Sequence, residues 1–169
     1  MGMSVTISAA NSQDAEQIFR LQYLCFQREA ELYGNYHIDP LVQTLDSIRA
    51  ELSRDCVLVA RLGDEVVGMV RGHTDEGGVG RIAKLGVHPR MQGHGLGTRL
   101  LRAMEGELVA RGETARFQLH SGHRSEGGLR LYKRAGYAAV GDSTGEDGVR
   151  MIVLEKEAAG RDTDYVVSA

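Results

Sequence analysis

No G-K-[ST] triplet occurs anywhere in the 169 residues, which excludes a Walker-type phosphate loop. No apolar run is long enough to span a bilayer, and no charged-plus-apolar leader opens the chain. Cysteine is scarce. Cys25 and Cys56 are the only two, and they lack the spacing of metal ligands or of a disulfide framework, a pattern that fits a reducing cytoplasm. Neither sign of charge is in excess: 20 Lys and Arg stand against 23 Asp and Glu, a net charge of -3, well interspersed. A nucleic-acid or membrane partner is therefore not expected, whereas a mildly acidic chain tolerates cationic substrates. Repeats, low-complexity tracts and linkers are also missing. With 42% hydrophobic and 25% charged residues, one soluble α+β domain with a sizeable core is the economical reading.

What is present follows clear periods. Val5, Ile7 and Ala9 alternate as a first strand. The opening Met1-Gly2-Met3-Ser4 formally matches an N-myristoylation pattern, but a strand that starts at Val5 argues against it. Asn11-Ser12 caps a helix whose Ala15, Ile18, Phe19, Gln22 and Phe26 form an apolar stripe, broken at Gly34-Asn35. Pro40 opens a second helix through Leu52. Cys56 to Leu62 and Glu65 to Arg71 make a hairpin around Gly63-Asp64. After a turn at Glu76-Gly77-Gly78, a strand covers Val79 to Val87. Leu96, Leu100, Met104 and Leu108 stripe a helix ending by Gly112, and Ala115 to His120 alternates as a strand. A shorter helix spans Glu126 to Ala135, stopped by Gly136. Ala138 to Gly141 and Val149 to Leu154 close an antiparallel pair around Gly145-Glu146-Asp147-Gly148. Glu155 to Ala169 reads as a loose end, with the domain drawn at 4–156 and a flexible tail at 157–169.

The segment from Leu85 to Leu101 runs from strand through Gln92-Gly93-His94-Gly95-Leu96-Gly97-Thr98 into a helix. Glycines let backbone approach a ligand closely, and free N–H groups at a helix start favour an anion, phosphate above all. A dinucleotide fingerprint is one reading, with Glu113 near the distance of a ribose-binding acid. Thr98 stands where its third small residue should fall, and the motif lies mid-chain without a preceding strand-helix-strand unit.

Gln92-Gly93-His94-Gly95-Leu96-Gly97 resembles the [QR]-x-x-G-x-[GA] signature of the GNAT acetyltransferase superfamily. Gly128-Leu129-Arg130-Leu131-Tyr132-Lys133-Arg134-Ala135-Gly136-Tyr137 is similar to that family's A-x-x-L-Y-x-x-x-G-[FY]. The likeness covers roughly Val5 to Leu154. It implies a GNAT-like acyl-CoA N-acyltransferase fold, a mixed, mostly antiparallel twisted sheet flanked by helices. It also implies acetyl-CoA as cosubstrate, with its pyrophosphate on the loop of Gln92, Gly93, His94, Gly95, Leu96, Gly97 and Thr98, and its pantetheine along Leu85 and Val87. Ser125 replaces an asparagine that often bonds the pantetheine arm, and it can still cap the following helix.

The implied chemistry is direct transfer of acetyl to a primary amine of a small molecule or peptide, with no metal and no covalent enzyme intermediate. An alkyl amine with a pKa of about 10.4 must first lose a proton. Tyr132 corresponds to the family tyrosine that acts as general acid toward the CoA sulfur. His120 stands where some relatives that acetylate N-terminal amines carry a glutamate base, and a histidine titrates near neutrality. Arg81 occupies a strand position where other relatives place a glutamate; His73, Glu76 or water remain as alternatives. His120-Ser121-Gly122-His123 offers two imidazoles but no further ligands for a metal. Arg90, His94 and Arg99 either meet phosphates or form a solvated edge, and Tyr33, Tyr36, His37 and Asp39 either shape an acceptor pocket or form a polar turn. A non-catalytic acyl-CoA-binding or sensing module is the alternative function, a nucleotide-dependent oxidoreductase comes third, and a homodimer is compatible with the reading.

Overall fold

The computed structural model describes residues 4–158. Strand β1 (Val5–Ala9) leads through a short 3-10 turn into helix α1 (Ala15–Tyr33). The Asn11 side chain accepts from the Gln13 N–H, and the Asp14 carboxylate accepts from the Asn11 N–H, which sets the entry to the helix. The expected stripe is displaced. Phe19 is exposed, and the face that meets the sheet carries Ala15, Ile18, Leu21, Gln22 and Ala30 as its buried residues. Gly34 ends α1 with φ +61, a conformation only glycine adopts at little cost.

The single helix expected from Pro40 to Leu52 is two, α2 (Asp39–Val42) and α3 (Leu45–Arg54). Thr44 causes the break. Its hydroxyl accepts from the Ser47 N–H at 3.1 Å, and a residue that caps in this way must itself be extended, so the chain cannot stay helical through Gln43 and Thr44.

The rest follows as β2 (Cys56–Leu62), β3 (Glu65–Thr74), β4 (Val79–Val87), α4 (Leu96–Ala110), β5 (Arg116–Gly122), α5 (Glu126–Arg134), β6 (Ala138–Thr144) and β7 (Arg150–Glu157). These strands form one seven-stranded sheet in the order β1-β2-β3-β4-β5-β7-β6. Among the described residues only β4 and β5 run parallel, and all other neighbours are antiparallel. The fold is thus α+β, and a doubly wound dinucleotide-binding sheet is ruled out.

Glu155 does not begin a loose end. Glu155, Lys156 and Glu157 pair with Gln118, Phe117 and Arg116 in β7, and Ala158 is buried. Charged composition suggested a tail, but the charges are spoken for: Gln118 Nε2 donates to Glu155 at 2.7 Å, and Lys156 Nζ lies 3.0 Å from Glu105. The expected tail beyond Ala158 and the myristoylation pattern's Met1, Gly2 and Met3 lie outside the described residues.

Both faces of the sheet are covered. On one, Leu100, Leu101, Met104 and Leu108 of α4 pack on Leu58, Val70, Ile82, Phe117 and Leu154. Helix α4 lies close against the strands: a Cβ at Gly68 would stand 2.8 Å from the Leu100 side chain, and one at Gly72 2.8 Å from Met104. The other face holds Ala15, Ile18, Leu21 and Ile48 of α1 and α3 against Val59, Val66 and Met69. Burial of these side chains, each stabilising by about 1.5–3 kcal/mol, ties both layers to the central strands.

The central strands then part. β4 and β5 pair only from Val79 to Arg81 against Arg116 to Gln118. Beyond that, a bulge between Met69 and Arg71 turns β4 away, with Lys84 in the left-handed region at φ +58. Backbone pairing between the two strands does not resume, so a gap opens between the ends at Val87 and Gly122.

Candidate active site

The glycine-rich segment closes one side of this gap. Pro89–Met91 forms a 3-10 turn, Gly93 and Gly95 sit at φ +83 and +77, and α4 begins at Leu96. The first backbone bond of the helix is Arg99 N–H to Gly95 O at 3.1 Å. The N–H groups of His94, Gly95, Leu96, Gly97 and Thr98 find no backbone acceptor among the described residues, and a Cβ at either Gly93 or Gly95 would meet nothing within 4 Å. Free donors, an open approach and the positive end of a fifteen-residue helix make an anion cradle.

Side chains around the cradle shape it more than they enter it. His94 Nδ1 lies 3.1 and 3.0 Å from the carbonyls of Met91 and Gln92, which ties the ring to the loop. Gln92 Nε2 donates to Val87 O at 3.3 Å. Arg90 pairs with Glu65, and Arg99 donates to Val5 O at 3.0 Å, so neither guanidinium is held over the cradle. Gly97 has a packing reason as well, because a Cβ there would stand 2.9 Å from Leu131 of α5. Leu85 and Val87 turn their side chains onto the α4-side core, leaving backbone for the gap.

Helix α5 brings Tyr132 to the same place. Its phenol is pushed up to about 12, first by burial and then by the negative charge of Glu29, so it stays protonated through the neutral range. Gly128, one turn earlier, is wedged between the Ser121 and Ser125 hydroxyls, with the Tyr132 ring 3.7 Å from where its Cβ would be. Ser125 occupies the cap position of α5, but its hydroxyl makes no capping bond; only its carbonyl does, to Leu129 N–H at 3.0 Å.

His120 is exposed near the end of β5 and makes no side-chain hydrogen bond among the described residues. Burial of part of the ring, then the Arg81 charge, lowers its pKa, which favours the neutral imidazole a base needs. Arg81 itself is held by Asp75 at 2.9 Å and by Gln118 at 2.6 Å. Of the alternatives, His73 pairs with Arg81 across β3 and β4. Glu76 lies in the turn before β4, next to the Asp75 that holds Arg81. His123 bonds Arg150 O at 3.1 Å and packs on the Tyr33 ring.

The far wall comes from α1 and the β6–β7 turn. Cys25 contacts Gly86 of β4, with its Sγ 3.2 Å from where a Cβ would lie, and Tyr33 lies against Gly122 of β5 while its hydroxyl accepts from Arg124 N–H at 2.8 Å. Asn35 Nδ2 donates to Asp147 O at 2.9 Å, tying the end of α1 to the turn. Of the four residues offered by the sequence here, Tyr33 reaches the gap. Tyr36 and His37 are exposed, and Asp39 pairs with Lys84 at 3.2 Å. Burial pushes the Cys25 thiol up to about 12 and raises Cys56 too, so neither is a thiolate nucleophile.

Three residues escaped the reading of the sequence. Glu29 falls on the sheet-facing side of α1, a signal visible by extending the Cys25 position one helical turn. Ser121 had no signal. Gln43 is a hub: its Oε1 accepts from Lys84 Nζ at 2.8 Å and Gln22 Nε2 at 2.7 Å, while its Nε2 donates to Glu51 at 2.7 Å and Ser47 at 3.1 Å.

Free N–H groups at a helix start therefore lie near the tyrosine-bearing helix α5, at the point where the parallel strands part. The sequence model of the acetyltransferase (GNAT) family matches residues 15–137. The chain belongs to that family and is an acetyl-CoA-dependent acetyltransferase. Its fold is similar to that of a GNAT-family acetyltransferase from Streptococcus pneumoniae, with a TM-score of 0.71 and 20% identity over 91% of this chain and 99% of that one. The ribosomal-protein-S18-alanine N-acetyltransferase from Escherichia coli gives 0.72 and 17% over 92% and 94%. The Salmonella typhimurium protein yncA, solved with its cofactor acetyl-CoA, gives 0.72 and 17% over 92% and 94%. Among the described residues no helix is long and apolar enough to cross a membrane, and no group of three or more His, Cys, Asp or Glu is placed to hold a metal ion.

Proposed function

We propose that this chain transfers an acetyl group from acetyl-CoA directly to a primary amine of a small molecule or peptide, with Tyr132 as general acid and His120 as general base. The observation that carries it is helix α5, which sets Leu131 against Gly97 and Tyr132 near Ser121 of β5, beside the free N–H groups where β4 and β5 part. The amides of Gly93 to Thr98 hold the pyrophosphate, the backbone of Leu85 and Val87 and the hydroxyl of Ser125 serve the pantetheine, and Gln92 braces the strand end. Bound acetyl-CoA supplies an activated thioester.

His120 takes one proton from the acceptor's ammonium group. The freed nitrogen lone pair forms the C–N bond as the C–S bond breaks, and a second N–H proton passes to solvent. Tyr132 gives its phenolic proton to the departing sulfur and regains one from solvent, so one net proton is released. A binding-only module has no use for such an acid, and no observation favours it.

The domain, drawn at 4–156 from the sequence, takes in Glu157 and Ala158 as well, and a reducing cytoplasm suits its two unpaired cysteines. Free thiol release from acetyl-CoA, followed across a panel of alkyl amines and peptide amines, tests the proposal. Thiol release with at least one amine is the expected result, and acetyl-CoA binding without release from any would overturn it.

A further inference from the structure

Helix α1 presents a regular face to the sheet, Ile18, Gln22, Cys25, Glu29 and Tyr33, at three-to-four spacing. Four of these are accounted for. Ile18 is core, Gln22 bonds Gln43 and the Pro40 carbonyl, Cys25 lies on Gly86 of β4, and Tyr33 lies on Gly122 and Arg124 of β5. Glu29 comes one turn after the residue that touches β4 and one turn before the residue that touches β5. That position spans the gap in which Tyr132 lies.

Glu29 is half-buried, yet none of the ion pairs or side-chain hydrogen bonds among the described residues involves it. A half-buried carboxylate on a sheet-facing helix stripe without a cation is partly desolvated, while its oxygens stay accessible to an incoming group. Burial, then the like charge of Asp147 on the same wall, raises its pKa.

We infer that Glu29 is the specificity-determining residue for the acceptor: its carboxylate receives the ammonium group of the incoming amine and sets it beside Tyr132. This rests on the acetyl-transfer reading above. The ammonium group neutralises the stranded charge, so cationic amines are favoured over neutral or anionic nucleophiles before any proton is removed.

The test uses the full chain with cadaverine, Nα-acetyl-lysine amide, glycine amide and Ala-Ala amide as acceptors. Thiol release is followed at pH 7.5, and acetyl-CoA affinity and thermal stability are measured alongside. For the best wild-type acceptor, Glu29→Gln should raise KM at least about tenfold, the size of one lost charge-assisted hydrogen bond, with acetyl-CoA affinity within about twofold. The melting temperature should hold, because the Glu29 carboxylate makes no bond among the described residues; a structural carboxylate would lower it. Glu29→Asp should fall between the two. An unchanged amine KM, or a lowered melting temperature with weakened acetyl-CoA binding, overturns the role of Glu29 while leaving acetyl transfer intact. A wild-type chain that binds acetyl-CoA but releases no thiol with any of the four overturns both.

Discussion

Two regions face each other across the gap between β4 and β5, and they are built on different principles. The wall formed by the end of β4 and the start of α4 offers main-chain N–H groups from consecutive residues, with glycine holding positive φ at Gly93 and Gly95. The opposite wall is made of side chains from α1, the α2–α3 break, the end of β5 and the β6–β7 turn. Backbone cannot be altered by most substitutions, so the first wall keeps one ligand. Side chains change one at a time, so on the proposed function the second is where acceptor choice is made.

The sharpest way to break this contrast is Gly95→Glu. The position opens on free space at φ +77, where an L residue is strained and a carboxylate would occupy the anion site. Acetyl-CoA binding should be lost altogether, as shown by calorimetry or by the absence of a ligand-induced rise in melting temperature. Undiminished binding by a folded Gly95→Glu chain would remove the cradle.

Tyr132→Phe comes next, because it keeps the ring and removes only the O–H. Turnover should fall by about 10²- to 10⁴-fold with acetyl-CoA affinity unchanged. Wild-type kcat in this variant would place the protonation of sulfur elsewhere.

His120→Ala should act on the pH profile. With its pKa below the ordinary 6.5, wild-type His120 is already neutral at pH 7, and activity should rise with pH along a limb centred below 6.5. That limb should vanish from kcat in the variant, and a superimposable profile would free His120 of the role.

The smallest effect is expected at Gln43. Removing its amide in Gln43→Ala leaves Gln22 with the Pro40 carbonyl alone and Lys84 with Asp39 alone, at a cost of about 0.5–1.5 kcal/mol in stability by chemical denaturation. Acceptor KM should shift while acetyl-CoA affinity does not. If both move together, the two walls are not independent.

The two walls also differ in how much of each is legible in the amino-acid sequence. The cradle is legible because its parts are neighbours along the chain, and glycine spacing followed by an apolar stripe has few other meanings. The acceptor wall is legible only in pieces. Tyr132 stands out through its motif, but Glu29 does not, since one acidic residue on a helix usually faces solvent. The break at Thr44 is hidden by Pro40, a good helix start that draws the eye past a better one four residues on. Glu155 to Glu157 read as loose for a related reason: charged residues look solvated until their partners, Arg116, Gln118 and Glu105, are brought beside them.

Local order was therefore the sequence's own to determine: hydrophobic period, glycine position and capping set the elements, the α+β class and the anion cradle, because each depends on residues within a turn or two of one another. Tertiary structure decided the rest. Where β4 and β5 stop pairing, which face of α1 fills the gap, and that Glu29, Tyr33, Asp147 and Tyr132 meet there from distant segments follow from how two layers close on one sheet. Side-chain burial and charge are properties of that closure, and no stretch of chain carries them alone.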